Sequence, residues 1–253
     1  MARTTESLEK LKEEYPESLL PMVLDITDRD AVVASIAATV EYFGHLDIVV
    51  NNAGILVMGM IEELSESEVR SAMETNFFGA LWVSQAAMPY LRAQRFGHII
   101  QISSIGAVIS GPMSGIYSAS KFALEGMSEA LAKEASHFGV KLTMVEPGGY
   151  WTDLYASMRY SNPLESYDSL REELARQYSE GSVDSDPSLA AEALMKIVDS
   201  KNPPLRIILG SMVYDLAMNT LIERIDSWKQ WESVSRDSEN GIPVPEGYIE
   251  SKE

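Results

Sequence analysis

Amphipathic helical stretches alternate with short apolar runs along most of this chain, and that alternation restricts the fold more than any other feature. "DRDAVVASIAATVEYFG" puts Val32, Ile36, Val40 and Phe43 on one helical face and closes at Gly44 as a C-cap, directly before the apolar run "LDIVV". Ser65 and Glu68 form a capping box for a helix to Gln94, disturbed at Pro89, before "HIIQIS". "SGIYSASKFALEGMSEALAKEASHFG" is a third helix ended by Gly139, and "VKLTMVEP" a strand with a Pro-Gly stop. Asp186 followed by Pro187 caps a helix to about Ser200, "LRIIL" is a last strand, and 212–232 reads as a terminal helix. Upstream, 5–14 reads as a charged helix and "LLPMVLDI" (19–26) as a buried strand. Strands and helices in such order predict an α/β fold, a doubly wound parallel sheet covered on both faces, in one domain spanning 1–253 with a loose tail at about 233–253.

Composition narrows the partners. A formal charge of −18 disfavours nucleic acid and anionic membrane surfaces, and no apolar run approaches a membrane span. The absence of cysteine and three scattered histidines (His45, His98, His137) give no metal site. With no signal-peptide pattern at the start, the expected location is cytoplasmic.

Ligands of doubly wound sheets bind at the carboxyl ends of the strands, which here lead into "DITD", "NNAG", "SSIG" and "EPGG". Each alone also reads as a tight turn from strand to helix. The chemistry concentrates in "YSASK" (117–121), where a helix puts the Tyr117 phenol and Lys121 ammonium on one face. A free tyrosine titrates near ~10, and an adjacent cation favours the phenolate, so Tyr117 is a candidate general acid/base. Taken alone, a Tyr-x-x-x-Lys pair also fits a surface contact. Ser104, just past "HIIQIS", adds a hydroxyl able to bond a carbonyl that Tyr117 protonates.

These segments, with Asn76 in "ETNFFG" and "PGGYWT" (147–152), resemble the classical short-chain dehydrogenase/reductase family, from the first residues to about 232. The resemblance implies a Rossmann-like fold and reversible hydride transfer between NAD(P) and a carbonyl or secondary alcohol. Tyr117 would be the acid/base, Ser104 would orient the substrate oxygen, Lys121 would lower the tyrosine's pKa and hold the nicotinamide ribose, and Asn76 would anchor a relay water. The bland alternative for Asn76 is a polar residue satisfying backbone groups. Asp25 matches the acceptor from the adenine amino group, and Asn52, Ala53 and Gly54 match the loop along the adenosine ribose. Pro147, Gly148 and Thr152 match the loop beside the nicotinamide. Arg3 matches the basic residue that meets the 2′-phosphate, which favours NADP(H) over NAD(H), or it is a solvated terminal charge. Gly54 also has a packing reading.

Residues 150–186 fall where the family keeps its substrate lid. Trp151, Tyr155 and Met158 there point to a medium-sized apolar substrate or simply pack the lid. The end, "PPLRIILGSMVYDLAMNTLIERIDSWKQW", is similar to the 17β-hydroxysteroid-dehydrogenase-like branch. Homodimers or homotetramers through 67–94 and 117–138 are what the family implies. In the family a strand, a glycine-rich phosphate turn, a helix and a second strand precede the point where this sequence opens, and its first glycine is Gly44. The expectation is therefore an N-terminally truncated record of an intact reductase. The alternative is a cofactor-free binding or scaffold relative.

Overall fold

A computed structural model describes residues 1–4, 6–179, 184–239 and 241. The helices are α1 (Glu6–Glu14), α2 (Arg29–Phe43), α3 (Glu66–Met73), α4 (Ala80–Gln94), α5 (Gly115–Ser136), α6 (Asp153–Ala156), α7 (Asp168–Ser179), α8 (Pro187–Val198), α9 (Ser211–Gln230) and α10 (Glu232–Asp237). The strands are β1 (Ile48–Asn51), β2 (Val57–Met58), β3 (Gly97–Ile102), β4 (Val140–Pro147), β5 (Arg159–Tyr160) and β6 (Arg206–Leu209). β1, β3, β4 and β6 form one parallel sheet in that order, with Val49 beside Ile99, Ile99 beside Leu142, and Val145 beside Ile207. Parallel strands need crossovers, and α4, α5 and α8 supply them.

Each face of the sheet carries its own apolar cluster. Val49, Ile99, Leu142 and Met144 pack on one side against Ile36 of α2, Leu91 and Ala87 of α4, and Ala135 of α5. Ile100 and Val145 pack on the other against Ile197 of α8. The doubly wound arrangement follows from this alternation. The predicted caps are present: Asp28 accepts from Ala31 N–H, Gly44 closes α2 at φ +83°, Ser65 and Glu68 form their reciprocal box, and Asp186 accepts from Ser188 N–H.

Four expectations need correction. Of 19–26, only Val23 pairs, through a single parallel bridge to Ala2. Ala2 N–H donates to Met22 O and Leu24 N–H to Ala2 O, at 3.1 and 2.8 Å. Among the described residues this segment does not join β1, whose Ile48 and Val50 side chains are exposed. The helix expected from Ser65 to Gln94 is interrupted by a π-helical turn, Glu74–Gly79, while Pro89 lies inside a continuous α4. The side chain of Ile26 occupies the space beside Gly79, within 2.4 Å of where a Cβ would stand, so the close approach is made at that turn. Phe43 is exposed, although Val32 and Ile36 are buried. The tail is helical over Glu232–Asp237, and its residues 240 and 242–253 lie outside the described residues.

The lid region 150–186 holds α6, β5 and α7, with 180–183 outside the described residues. Its two feet are joined: Trp151 N–H donates to Ser185 O (3.0 Å) and Ser185 N–H to Gly149 O (3.1 Å). β5 pairs with β2, and the buried Glu63 carboxylate accepts from Leu164 N–H, Met60 N–H, Ser161 Oγ–H and Arg171. These bonds hold Glu63 far down, at about 2, with the Leu164 amide the largest contributor. Among the described residues no helix is long and apolar enough to cross a membrane.

Candidate active site

Ser104 follows β3, where the strand ends against the 3₁₀ turn Ile105–Ala107, and its Oγ accepts from Gly106 N–H at 3.0 Å. That bond fixes the hydroxyl at the carboxyl edge of the sheet. Tyr117 lies in the first turn of α5, where the Ser104 side chain is near enough to favour its ionised form. One turn on, Lys121 is buried and donates from Nζ to Ile102 O at 2.9 Å, with Nζ 5.8 Å from the Tyr117 ring centre. An ammonium has three donors, so that one bond leaves two for other partners.

Asn76 sits in the π-helical turn, where its Oδ1 accepts from Ile55 N–H (2.8 Å) and its Nδ2 donates to Ile55 O (3.0 Å) and Ser120 Oγ (3.0 Å). Its side chain satisfies the backbone of the loop after β1, outside its own helix. That same loop carries Gly54. A Cβ there would stand 3.4 Å from Asn76 Oδ1 and 3.7 Å from Lys121 Nζ, so the glycine keeps a narrow approach to the ammonium open. Asn52 and Ala53 are exposed on the same loop.

Burial lifts the Tyr117 phenol above its ordinary value, and the Ser104 side chain opposes that shift. The depression expected from Lys121 does not appear in this state, where the cost of removing a phenolate from water dominates. Lys121 is itself brought down to about 8 by burial, with the Glu125 carboxylate one turn away opposing the fall. At neutral pH it remains a cation.

The other predicted residues fall along the same sheet edge. Pro147 ends β4, and Gly148 follows, its N–H donating to Leu209 O at 3.0 Å. A Cβ on Gly148 would come within 2.9 Å of Val213. Thr152 is the exposed N-cap of α6, with no side-chain capping bond. At the far end, the Ala2–Val23 bridge sets Arg3 and Asp25 just beyond neighbouring chain segments. Asp25 Oδ1 accepts from Thr27 N–H and Thr27 Oγ–H at 2.9 and 2.8 Å. Those bonds, and to a smaller degree the charge of Arg3, hold Asp25 below the usual carboxylate range.

Several contributors escaped the sequence reading. Ser120, fully buried, links Asn76 to the Tyr117 carbonyl, to which it donates at 2.6 Å. Its signal was the middle of "YSASK" itself. Ser103 donates to Glu125 Oε1 at 2.7 Å, and Glu125 pairs with Arg206 at 3.0 Å, so the countercharge of Lys121 is anchored in β6. Tyr155 of the lid is raised above its ordinary value by burial first, and by the neighbouring Asp184 carboxylate and Tyr117.

Residues 1–162 match the family described as short chain dehydrogenase. The chain is 34% identical over 238 residues to the oxidoreductase BOA17 of Botryotinia fuckeliana, covering 92% of this chain and 87% of that protein. It is 38% identical over 211 residues to a 3-ketodihydrosphingosine reductase of Bacteroides thetaiotaomicron, covering 82% and 77%. Among solved structures, a short-chain dehydrogenase from Streptomyces avermitilis superposes with a TM-score of 0.87 at 33% identity, over 93% of this chain and 86% of that one. The NADP-bound protein ElxO superposes with a TM-score of 0.63 at 26% identity, over 81% and 84%. Sequence, sheet order and site geometry agree, and the chain belongs to the short-chain dehydrogenase family of oxidoreductases.

Proposed function

We propose that the chain interconverts a carbonyl and a secondary alcohol using NADP(H), with Tyr117, Lys121, Ser104 and Asn76 as its catalytic group. The observation that carries this reading is the convergence of Ser104, Tyr117 and Lys121 at the carboxyl edge of the sheet, with the buried Lys121 ammonium 5.8 Å from the Tyr117 ring centre and the Ser104 side chain favouring the Tyr117 phenolate. The cofactor supplies the hydride. The residues present fit its nicotinamide half: Gly54 leaves the approach to Lys121 open, and Pro147, Gly148 and Thr152 line the strand end next to it. Asp25 and Arg3 provide an acceptor and a cation for the adenosine half, and Arg3 suits a 2′-phosphate.

In the reduction direction Ser104 donates a hydrogen bond to the substrate oxygen, and Tyr117 gives its proton to that oxygen as negative charge develops there. The raised phenol pKa keeps Tyr117 protonated and ready to act as the acid. Lys121 then stabilises the phenolate left behind, and Asn76 with Ser120 holds α5 against the loop after β1 so that the group stays aligned. Trp151, Tyr155 and Met158 border the entrance and suit an apolar substrate, in keeping with a relative named for a keto lipid.

The test is NADPH binding and turnover of apolar ketones by the purified chain. Tyr117→Phe lowers kcat by roughly 100-fold or more while NADPH still binds, and Lys121→Ala weakens both. A folded chain that binds neither NADPH nor NADH would instead support the cofactor-free scaffold reading.

A further inference from the structure

A cavity of about 620 Å³ is bounded by α5, β4, β6 and α9, and none of Ser104, Tyr117, Lys121 and Asn76 lines it. Its volume is that of a small-molecule site, typically ~300–1,000 Å³. Most of its wall is apolar, with Phe122 from α5, Ile207 from β6 and Leu221 from α9.

The polar part of the wall is incomplete. Glu146 lines the cavity from β4, is 3% exposed, and has an Oε1 that makes no hydrogen bond among the described residues. A buried carboxyl left unpaired bears the full cost of its desolvation, so the group calls for a partner. Arg206 does not supply one: its Nε stands 3.7 Å from Glu146 Oε1, and its closer contacts, at 3.0 and 2.9 Å, go to Glu125 and Glu129. Arg224 points its guanidinium elsewhere, donating to Val108 O at 3.1 Å. The charged and titratable groups gathered here are thus Glu125 and Glu129 of α5, Glu146 of β4, Arg206 of β6, and Arg224 and Tyr214 of α9. With all the acids ionised, three carboxylates meet two guanidiniums. The same wall holds two aromatic rings, Phe122 and Tyr214, and aromatic faces attract cations. An anion would meet the opposite conditions, on a chain of formal charge −18.

We infer that this cavity binds an apolar organic ammonium ion, with its charged end against Glu146 and Glu125 and its hydrocarbon body along Phe122, Ile207 and Leu221. Burial, with the Glu125 charge adding to it, keeps the Glu146 carboxyl protonated up to about 7. An entering ammonium displaces that proton to solvent, and the affinity therefore rises with pH. The site is separate from the catalytic group, and its occupancy does not depend on the reaction the protein catalyses.

Calorimetric titration of the full 253-residue chain with octylammonium, beside octanol and octanoate as probes with the same tail, tests it. In about 0.15 M salt, which screens exposed charges beyond ~8 Å, one octylammonium should bind per chain with a Kd of roughly 0.1 mM. Octanol and octanoate should bind about 10-fold more weakly or less. An alkylamine, like lysine at ~10.4, stays charged throughout, so the octylammonium affinity should rise about 10-fold or more from about pH 5.5 to about pH 8.5. Glu146→Gln should remove that pH dependence and weaken binding about 10-fold at the higher pH. Gly126 also lies in the wall, and a Cβ there would meet nothing within 4 Å, so Gly126→Leu occupies the cavity from a helical position. That variant should abolish binding while its circular dichroism stays native. Equal binding of octanol, tighter binding of octanoate, an affinity independent of pH, or octylammonium still bound by Gly126→Leu would each overturn the inference. So would the absence of octylammonium binding at millimolar concentration.

Discussion

Glu146 offers a test of the electrostatics beneath the site. It lies at the end of β4, 3% exposed, and its Oε1 makes no hydrogen bond among the described residues; Arg206 Nε is 3.7 Å away and is already paired with Glu125 and Glu129. Burial lifts its carboxyl to about 7, the neighbouring Glu125 charge adds to the rise, and Arg206 opposes it. A carboxyl raised in the folded state binds its proton more tightly there than in the unfolded chain. Its stabilising contribution is therefore complete below about 4.5 and is lost as the pH rises through 7. At ~1.4 kcal/mol per unit, the full difference is about 3 kcal/mol, of which about 2 kcal/mol falls between about pH 5.5 and about pH 8.5. Glu146→Gln removes the titration and keeps the shape. Its melting temperature relative to the wild type should climb by roughly 4–8 °C across that interval, as expected for a domain of this size. Calorimetry or fluorescence melts at the two pH values read it directly. A variant whose advantage is the same at both, or which is less stable at the higher one, would show that Glu146 is an ionised partner of Arg206 and refute the reasoning.

Leu91 is fully buried between α4 and the sheet, so Leu91→Ala should cost about 2–5 kcal/mol in urea unfolding, and a loss below 1 would mean that the site collapses freely. Gly139 has φ +76° and would place a Cβ 2.6 Å from Arg95 O, so Gly139→Ala should lower stability by more than about 1 kcal/mol, visible as an earlier thermal transition. Glu63→Gln weakens the anchor of the lid: KM should rise more than kcat falls, with faster proteolysis between β5 and α7, and an unchanged KM would detach the lid from substrate binding. Because Glu63 is held at about 2, that anchor should be insensitive to pH across the neutral range and weaken only as the pH falls toward the acid end. Arg3→Ala should raise the KM for NADPH with little change for NADH, and equal effects on the two would remove Arg3 from 2′-phosphate recognition.

The alternation of elements was legible because the helices packed on the sheet bury a periodic stripe and the central strands are mostly apolar; β4 coincides with its predicted span, and Gly44, Ser65 and Asp186 act as the caps they resemble. The segment 19–26 was not, since a strand is defined by its neighbours and an apolar run says nothing about whether a partner lies beside it. The π-helical turn at Glu74–Gly79 was hidden for a related reason: the side chain that fills the space beside Gly79 comes from Ile26, far away in sequence. Within the site, the helical spacing of Tyr117 and Lys121 was enough to place the ammonium beside the phenol ring, 5.8 Å from its centre. What the spacing could not reveal is the sign of the shift on Tyr117. That depends on how much water the folded lid and sheet remove, a property of the assembled pocket and of no single residue.

The parallel bridge between Tyr150 and Ser185 turns everything between them into a loop with clamped feet. Closing such a loop costs entropy that grows only with the logarithm of its length, so residues can be added or removed inside it at little expense. Ser104, Tyr117 and Lys121 sit outside the clamp, just past β3 and on α5, and meet what lies within it through Tyr155. On the proposed function, selectivity for a substrate and the power to reduce it are thereby carried by separable parts of the chain, and one cassette can be exchanged between two fixed hydrogen bonds.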